Sequence, residues 1–166
     1  MTEQQQYDVV RMLGKVELRR YAPCVMADVV VRGDYRRATY EGFGPLVTYI
    51  SRNDIAMTAP VVQEGTGDES WRVSFVMPAG MHLSTLPRPA NQQVTLRDVP
   101  EHLGAALKFS GLATRRDVAR KESELLEVLR LEGLTPTSAV RVARFDPPWT
   151  PSFLRHNEVV VDVALT

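Results

Sequence analysis

Apolar residues alternate with polar or small ones from Leu103 to Phe109, where Leu103, Ala105, Leu107 and Phe109 interleave with Gly104, Ala106 and Lys108. A period of two predicts a half-buried strand. After Gly111 the period lengthens: Val118, Leu125, Leu126 and Leu129 fall on one stripe, which predicts a helix over 114–132. Thr114 with Asp117 at N3 is expected to cap its first turn, and Gly133 to stop it. The segment 16–33 repeats this order ahead of a weaker helical segment at 34–51. There Ala38, Phe43, Val47 and Ile50 share one face, but Gly42, Gly44 and Pro45 interrupt it, so an irregular helix is expected.

Laid over 94–111 without a gap, at an offset of 78 residues, the segment 16–33 shows identities at Val16/Val94, Leu18/Leu96, Arg19/Arg97, Ala27/Ala105 and Gly33/Gly111. Tyr21/Val99, Val25/Leu103, Val29/Leu107 and Val31/Phe109 are apolar at both positions. The alignment predicts an internal duplication. Each helix is followed by two extended segments, 55–63 and 71–77 in the first half, 139–145 and 158–165 in the second. The Gly, Asp and Ser content of 65–70 suits a hairpin turn, and 78–89 crosses between the halves. The expectation is one α+β domain over 1–166, made of two β-α-β-β repeats at about 16–77 and 94–165. Their sheets would pair into a distorted antiparallel β-barrel with both helices outside.

An apolar content of 44% is enough to fill one core at this length. The 20 basic and 20 acidic residues cancel, which argues against nucleic acid as a partner. Cys24 is the only cysteine, so an intrachain disulfide and a cysteine-based zinc cluster are excluded. The N-terminus is polar and no apolar run reaches membrane-span length, so a soluble, cytoplasmic protein is expected.

Chemistry is sparse. His82, His102 and His156 share no metal-ligand spacing. Ser74, Ser84 and Ser110 lack a nucleophile-elbow setting, and no Cys/His or H-E-x-x-H pattern occurs. Met57 and Met77 read as packing residues, and Cys24 as a half-buried strand residue. Glu158, beside Asn157 at the start of the last strand, is the one acid that stands out. The prolines at 147, 148 and 151 withdraw three backbone donors, so 146–151 reads as a rigid connection whose Trp149 covers an end of the core.

The motifs IAMTAPV (55–61), VSFVMP (73–78), FSG (109–111) and DPPWTPSFLRHNEV (146–159), in this order and after YDVVRMLGKVELRRYAP, resemble the SOUL haem-binding proteins over nearly the whole chain. The resemblance implies the barrel of two repeats described above, an architecture shared with bacterial effector-binding domains. It also implies binding of haem or a related tetrapyrrole at an apolar surface beside the first helix. Carried over by position, Phe43, Leu46, Val47, Ile50 and Met57 would face the ligand. Arg20, with Arg19, Arg36, Arg37 and Arg52, would be available to its carboxylates. Some members carry a histidine, proposed as axial iron ligand, where this chain has Arg20, and a guanidinium cannot ligate iron. His82 on the crossing segment is then the candidate axial ligand. In the wider superfamily an acid in the pocket binds cations or assists hydrolysis, which makes Glu158 the candidate for an enzyme of this fold.

Overall fold

Gly33 and Gly111 hold φ of +127° and +109°, backbone that glycine adopts at little cost. Each turns the chain from a long strand into a helix. The computed structural model describes residues 2–164. The first half contains β1 (Glu3–Gln4), β2 (Tyr7–Leu13), β3 (Val16–Tyr21), β4 (Cys24–Arg32), α1 (Tyr35–Arg52), β5 (Thr58–Ala59), β6 (Val61–Gly65) and β7 (Ser70–Val76). The second contains β8 (Thr95–Val99), β9 (His102–Phe109), α2 (Arg115–Leu131), β10 (Thr135–Pro136), β11 (Arg141–Arg144) and β12 (Asn157–Ala164). Leu165, expected at the end of the last strand, lies outside the described residues. Each segment read as one strand ahead of a helix is in fact a strand pair, broken at Pro23 and at Pro100, where no backbone donor is left for the ladder.

The sheet runs β2-β3-β9-β12-β11-β6-β7-β4-β8, with neighbours antiparallel and β10 beside β12. The short β1 runs parallel to β5. With β2 and β8 at its ends the sheet stays open, so this α+β fold is a curled half-barrel with two helices. β3 crosses to pair with β9, and β8 crosses to pair with β4. The register Tyr21↔His102 in one crossing answers Val99↔Cys24 in the other, at the 78-residue offset.

Both helices lie on one face of the sheet. Val142 packs in the cluster under α2 and is the cross-strand partner of Gln63, whose amide donates to the Tyr35 carbonyl of α1. Leu125 and Leu129 of α2 are buried against Leu107, Val159 and Val161. On α1, Leu46, Tyr49 and Ile50 are buried against Val29, Val73 and Phe75. The opposite face carries Tyr21, Val62, Ala106, Ala143 and Val160. No helix among the described residues is long and apolar enough to cross a membrane.

The expected irregularity of the first helix is absent: α1 runs unbroken through Gly42, Gly44 and Pro45. Gly42 is there for proximity, since a Cβ on it would sit 2.6 Å from Val73 Cγ2. Gly42→Ala is therefore expected to lower the unfolding free energy by about 1–3 kcal/mol in urea denaturation, although alanine is the better helix former. An unchanged or raised midpoint would show that β7 yields to the added methyl.

Candidate ligand-binding groove

A groove of about 1310 Å³ opens between the N-terminal halves of the two helices. Its floor is Val61 and Gln63 of β6 with Trp71 and Val73 of β7. One wall is α1, where Arg36, Thr39, Tyr40 and Phe43 recur at helical spacing. The other wall joins Leu112–Arg115, at the start of α2, to Arg144, Asp146, Pro148 and Arg155. Trp71 is held by an edge contact to Tyr35, centroids 5.4 Å apart, and lies under the Arg115 guanidinium at 5.6 Å. The Tyr35 hydroxyl donates to the Ala113 carbonyl at 2.8 Å, tying α1 to the entry of α2. Asp34 and Thr114 cap the two helices, Thr114 reciprocally with Asp117 as expected.

The DPPWTPSFLRHNEV stretch is fastened into this wall. Arg155 donates to the carbonyls of Thr150 and Pro148, and Gly111 N–H donates to Ser152. Asn157 donates to the Gly111 carbonyl at 2.9 Å. The connection 146–151 lies outside the sheet ladder, as its prolines imply, but Trp149 does not cover the core: it is 83% exposed, as the loop folds back on Gly111 and carries the indole outward. Phe153 and Leu154 are exposed beside it.

Glu158 lies on the opposite face of the sheet, away from the groove. Arg19 donates to both of its oxygens, at 2.6 and 2.9 Å, and His156 Nε2 sits 2.8 Å from Oε2. Arg19 also bonds Glu17 and the Tyr21 hydroxyl and stacks over Tyr7, 4.0 Å from the ring centroid. Burial pushes the Glu158 carboxyl up, but the hydrogen bonds from His156 and Arg19 outweigh it and hold the group below the ordinary carboxylate range. The cavity beside this cluster, about 10 Å³, has room for one water. Both oxygens of Glu158 are thus engaged by a resident guanidinium, and Oε2 by His156 as well.

Of the residues expected to face the ligand, only Phe43 lines the groove. Leu46 and Ile50 are buried in the core, and Val47 and Met57 are half-buried against the same cluster. The segment 78–94 covers that end of α1 with Met81 and Leu86, and the Tyr49 hydroxyl donates to Pro87. Arg20 of β3 pairs with Glu101 at 3.6 Å and is not among the groove residues. Of the other proposed cations, Arg19 is buried against Glu158, Arg37 pairs with Glu41, and only Arg36 reaches the groove. His82 is exposed on the crossing segment and is not among the groove residues. Met77 is buried, and burial pushes the Cys24 thiol up, with only Gln5 and two arginines opposing. Trp71, Tyr40, Arg115, Arg144 and Arg155 escaped the sequence reading because they converge from separate elements. The one available signal was the arginines near the helix starts, Arg36 and Arg37 in the first and Arg115 and Arg116 in the second.

The family model described as SOUL heme-binding protein matches residues 2–162. The chain belongs to the SOUL haem-binding family. No curated protein matches it. Among solved structures, the C-terminal domain of EcmrR is similar with a TM-score of 0.74 at 11% identity, over 93% of this chain and 100% of that one. A hydrolase from Listeria innocua gives 0.62 at 14%, over 90% and 92%. SAV2435 bound to tetraphenylphosphonium gives 0.58 at 8%, over 91% and 94%. At these identities the likeness is one of fold. For a SOUL-family chain the groove residues fit a tetrapyrrole ring and its carboxylates, with aromatic and aliphatic faces next to guanidiniums. The groove presents no His, Cys or Met to an iron; its oxygen donors include the Tyr35 and Tyr40 hydroxyls, of which Tyr35 is committed to Ala113, and the carboxylates of Asp34, Glu69 and Asp146. Among the described residues no group of His, Cys, Asp and Glu side chains is placed to hold a metal ion.

Proposed function

We propose that this SOUL-family chain binds haem or a related tetrapyrrole in the groove between its helices, for buffering or delivery. The observation that carries the reading is the meeting of Phe43, Tyr40, Trp71 and Leu112 with four guanidiniums in a single space of about 1310 Å³. That is more than the roughly 300–1,000 Å³ of ordinary small-molecule pockets, and it suits a broad flat ligand. A porphyrin is a largely apolar disc with two carboxylates on one edge. Trp71 and Phe43 would take the faces, and the arginines the carboxylates. Haem would bring its redox-active iron to the site, while the chain's own part is to shield the ring and hold its charged edge.

The binding is tested by titrating the purified chain with hemin and with metal-free protoporphyrin. A saturable Soret shift is expected with hemin, and saturable fluorescence change with protoporphyrin at comparable affinity, because no imidazole, thiolate or thioether lines the groove. A hemin spectrum identical to free hemin with an inert protein would end this reading.

The alternatives are an enzyme working through Glu158 and a module sensing a lipophilic cation, by analogy with the tetraphenylphosphonium held by SAV2435. The observations lean away from both. Glu158 is neutralised by Arg19, and the groove carries four guanidiniums against the three carboxylates of Asp34, Glu69 and Asp146, an excess of positive charge.

A further inference from the structure

Four arginines line the groove, and among the described residues none of them is in an ion pair, although Asp34, Glu69 and Asp146 share the lining; Asp34 and Asp146 accept from the backbone N–H of Arg37 and of His156. Elsewhere on the sheet, arginines with covered side chains face carboxylates: Arg19 faces Glu158 at 2.6 Å, Arg97 faces Asp28 at 2.7 Å, Arg141 faces Asp162 at 3.0 Å, and Arg72 faces Glu64. Arg144, at the end of β11, breaks this pattern. Its guanidinium donates to neutral acceptors only, the Gln63 carbonyl at 3.2 Å and the Tyr35 hydroxyl, and lies 5.2 Å from the Tyr35 ring centroid. Arg155, on the same wall, is likewise held by neutral carbonyls, those of Thr150 and Pro148. Among the described residues no carboxylate pairs with either.

The two are deeper than the other groove arginines. Arg144 and Arg155 are half-buried, while Arg36 and Arg115 stand exposed at the lip. Burial lowers the Arg144 pKa, and the neighbouring charge of Arg155 acts in the same direction. A desolvated guanidinium beside a second one is unfavourable unless an anion joins them. Their contacts, the Gln63 carbonyl and Tyr35 hydroxyl for Arg144 and two backbone carbonyls for Arg155, keep both forks oriented, so an arriving oxyanion meets donors already in place.

We infer that Arg144 and Arg155 form an oxyanion clamp at the inner end of the groove, which takes the carboxylate edge of the ligand inward toward β11. The inference rests on the tetrapyrrole reading for the identity of the ligand, and on the unpaired guanidiniums for its orientation. It gives the site a substrate class, flat apolar acids, and a rule of exclusion against neutral or cationic molecules of the same shape.

The test uses the full chain with protoporphyrin IX and its dimethyl ester, which has the same ring without the charges. The wild-type protein is expected to bind the diacid about tenfold or more tighter than the diester, the worth of one or two charge-assisted hydrogen bonds. Arg144→Met should remove that preference and leave diester binding in place. It should not lower the melting temperature of the ligand-free protein, since the charge removed was uncompensated. Equal affinity for diacid and diester would overturn the clamp, as would a melting temperature that falls in Arg144→Met while the preference survives. If neither porphyrin binds, the tetrapyrrole reading fails, and inorganic phosphate decides the clamp. Thermal protection of the wild type but not of Arg144→Met supports it, and protection of neither overturns it.

Discussion

Replacing Glu158 by glutamine is expected to lower the unfolding free energy by about 3 kcal/mol, the cost of leaving a buried guanidinium without its main partner. Arg19 and Glu158 each have a side chain 1% exposed, so water cannot make up the loss. Glu17, which also accepts from Arg19, keeps the effect toward the lower end of the range for such breaks. Removing both charges in Arg19→Met/Glu158→Leu should restore most of the stability, because two apolar side chains leave nothing unpaired. The pH dependence has a definite sign. A carboxyl held below its unfolded pKa stabilises the fold above that pKa, and the contribution is lost as pH falls through the folded value. Urea denaturation across the acid range should therefore show a falling limb below about pH 4 in the wild type that is missing in the double variant. A loss under about 1 kcal/mol in Glu158→Gln would mean the pair is far better solvated than its geometry implies.

Phe43→Asp is expected to weaken hemin binding by at least about tenfold, because a carboxylate would face the apolar disc and repel its acidic edge. Phe43 is 41% exposed and touches the core through an edge contact to Phe75 at 5.3 Å, so the fold should survive with little change in its urea midpoint. Soret titration and denaturation on the same preparation separate the two effects. Hemin affinity equal to the wild type would remove α1 from the site. An acid at Val47 would be a poorer probe, since Val47 packs against the core cluster under the helix and its replacement would act on folding first.

Local features were legible where local physics decides them. The capping pair Thr114 and Asp117, the buried stripe Val118, Leu125 and Leu129, and the turn glycines at 33 and 111 all concern residues within a few positions of each other. The first helix was misjudged because Gly42 answers to Val73, a neighbour in space whose closeness no helix propensity encodes. The strand Tyr7–Leu13 was not read as such. It is an edge strand with Val9, Val10 and Met12 exposed, so its faces carry no contrast of the kind that periodicity detects. The site was the least visible part. Phe43 and Arg36 could be named only through the family resemblance, which implies a ligand surface beside the first helix with arginines near it. Arg144 and Tyr35 meet across 109 positions, and Arg19 and Glu158 across 139. Such pairs are fixed by strand order, and nothing in the neighbourhood of either residue announces the other.

The exchange of β3 and β8 between the halves reaches beyond the shape of the sheet. β3 pairs with β9 beyond the crossing and β8 pairs back with β4, so neither half can complete its hydrogen-bond ladder before the segment 78–94 has been closed into a loop. The entropy of that closure must be met before the pairing repays it. Folding of this chain is then a single late event shared by both halves, and a half made alone would carry a bare strand edge in search of a partner.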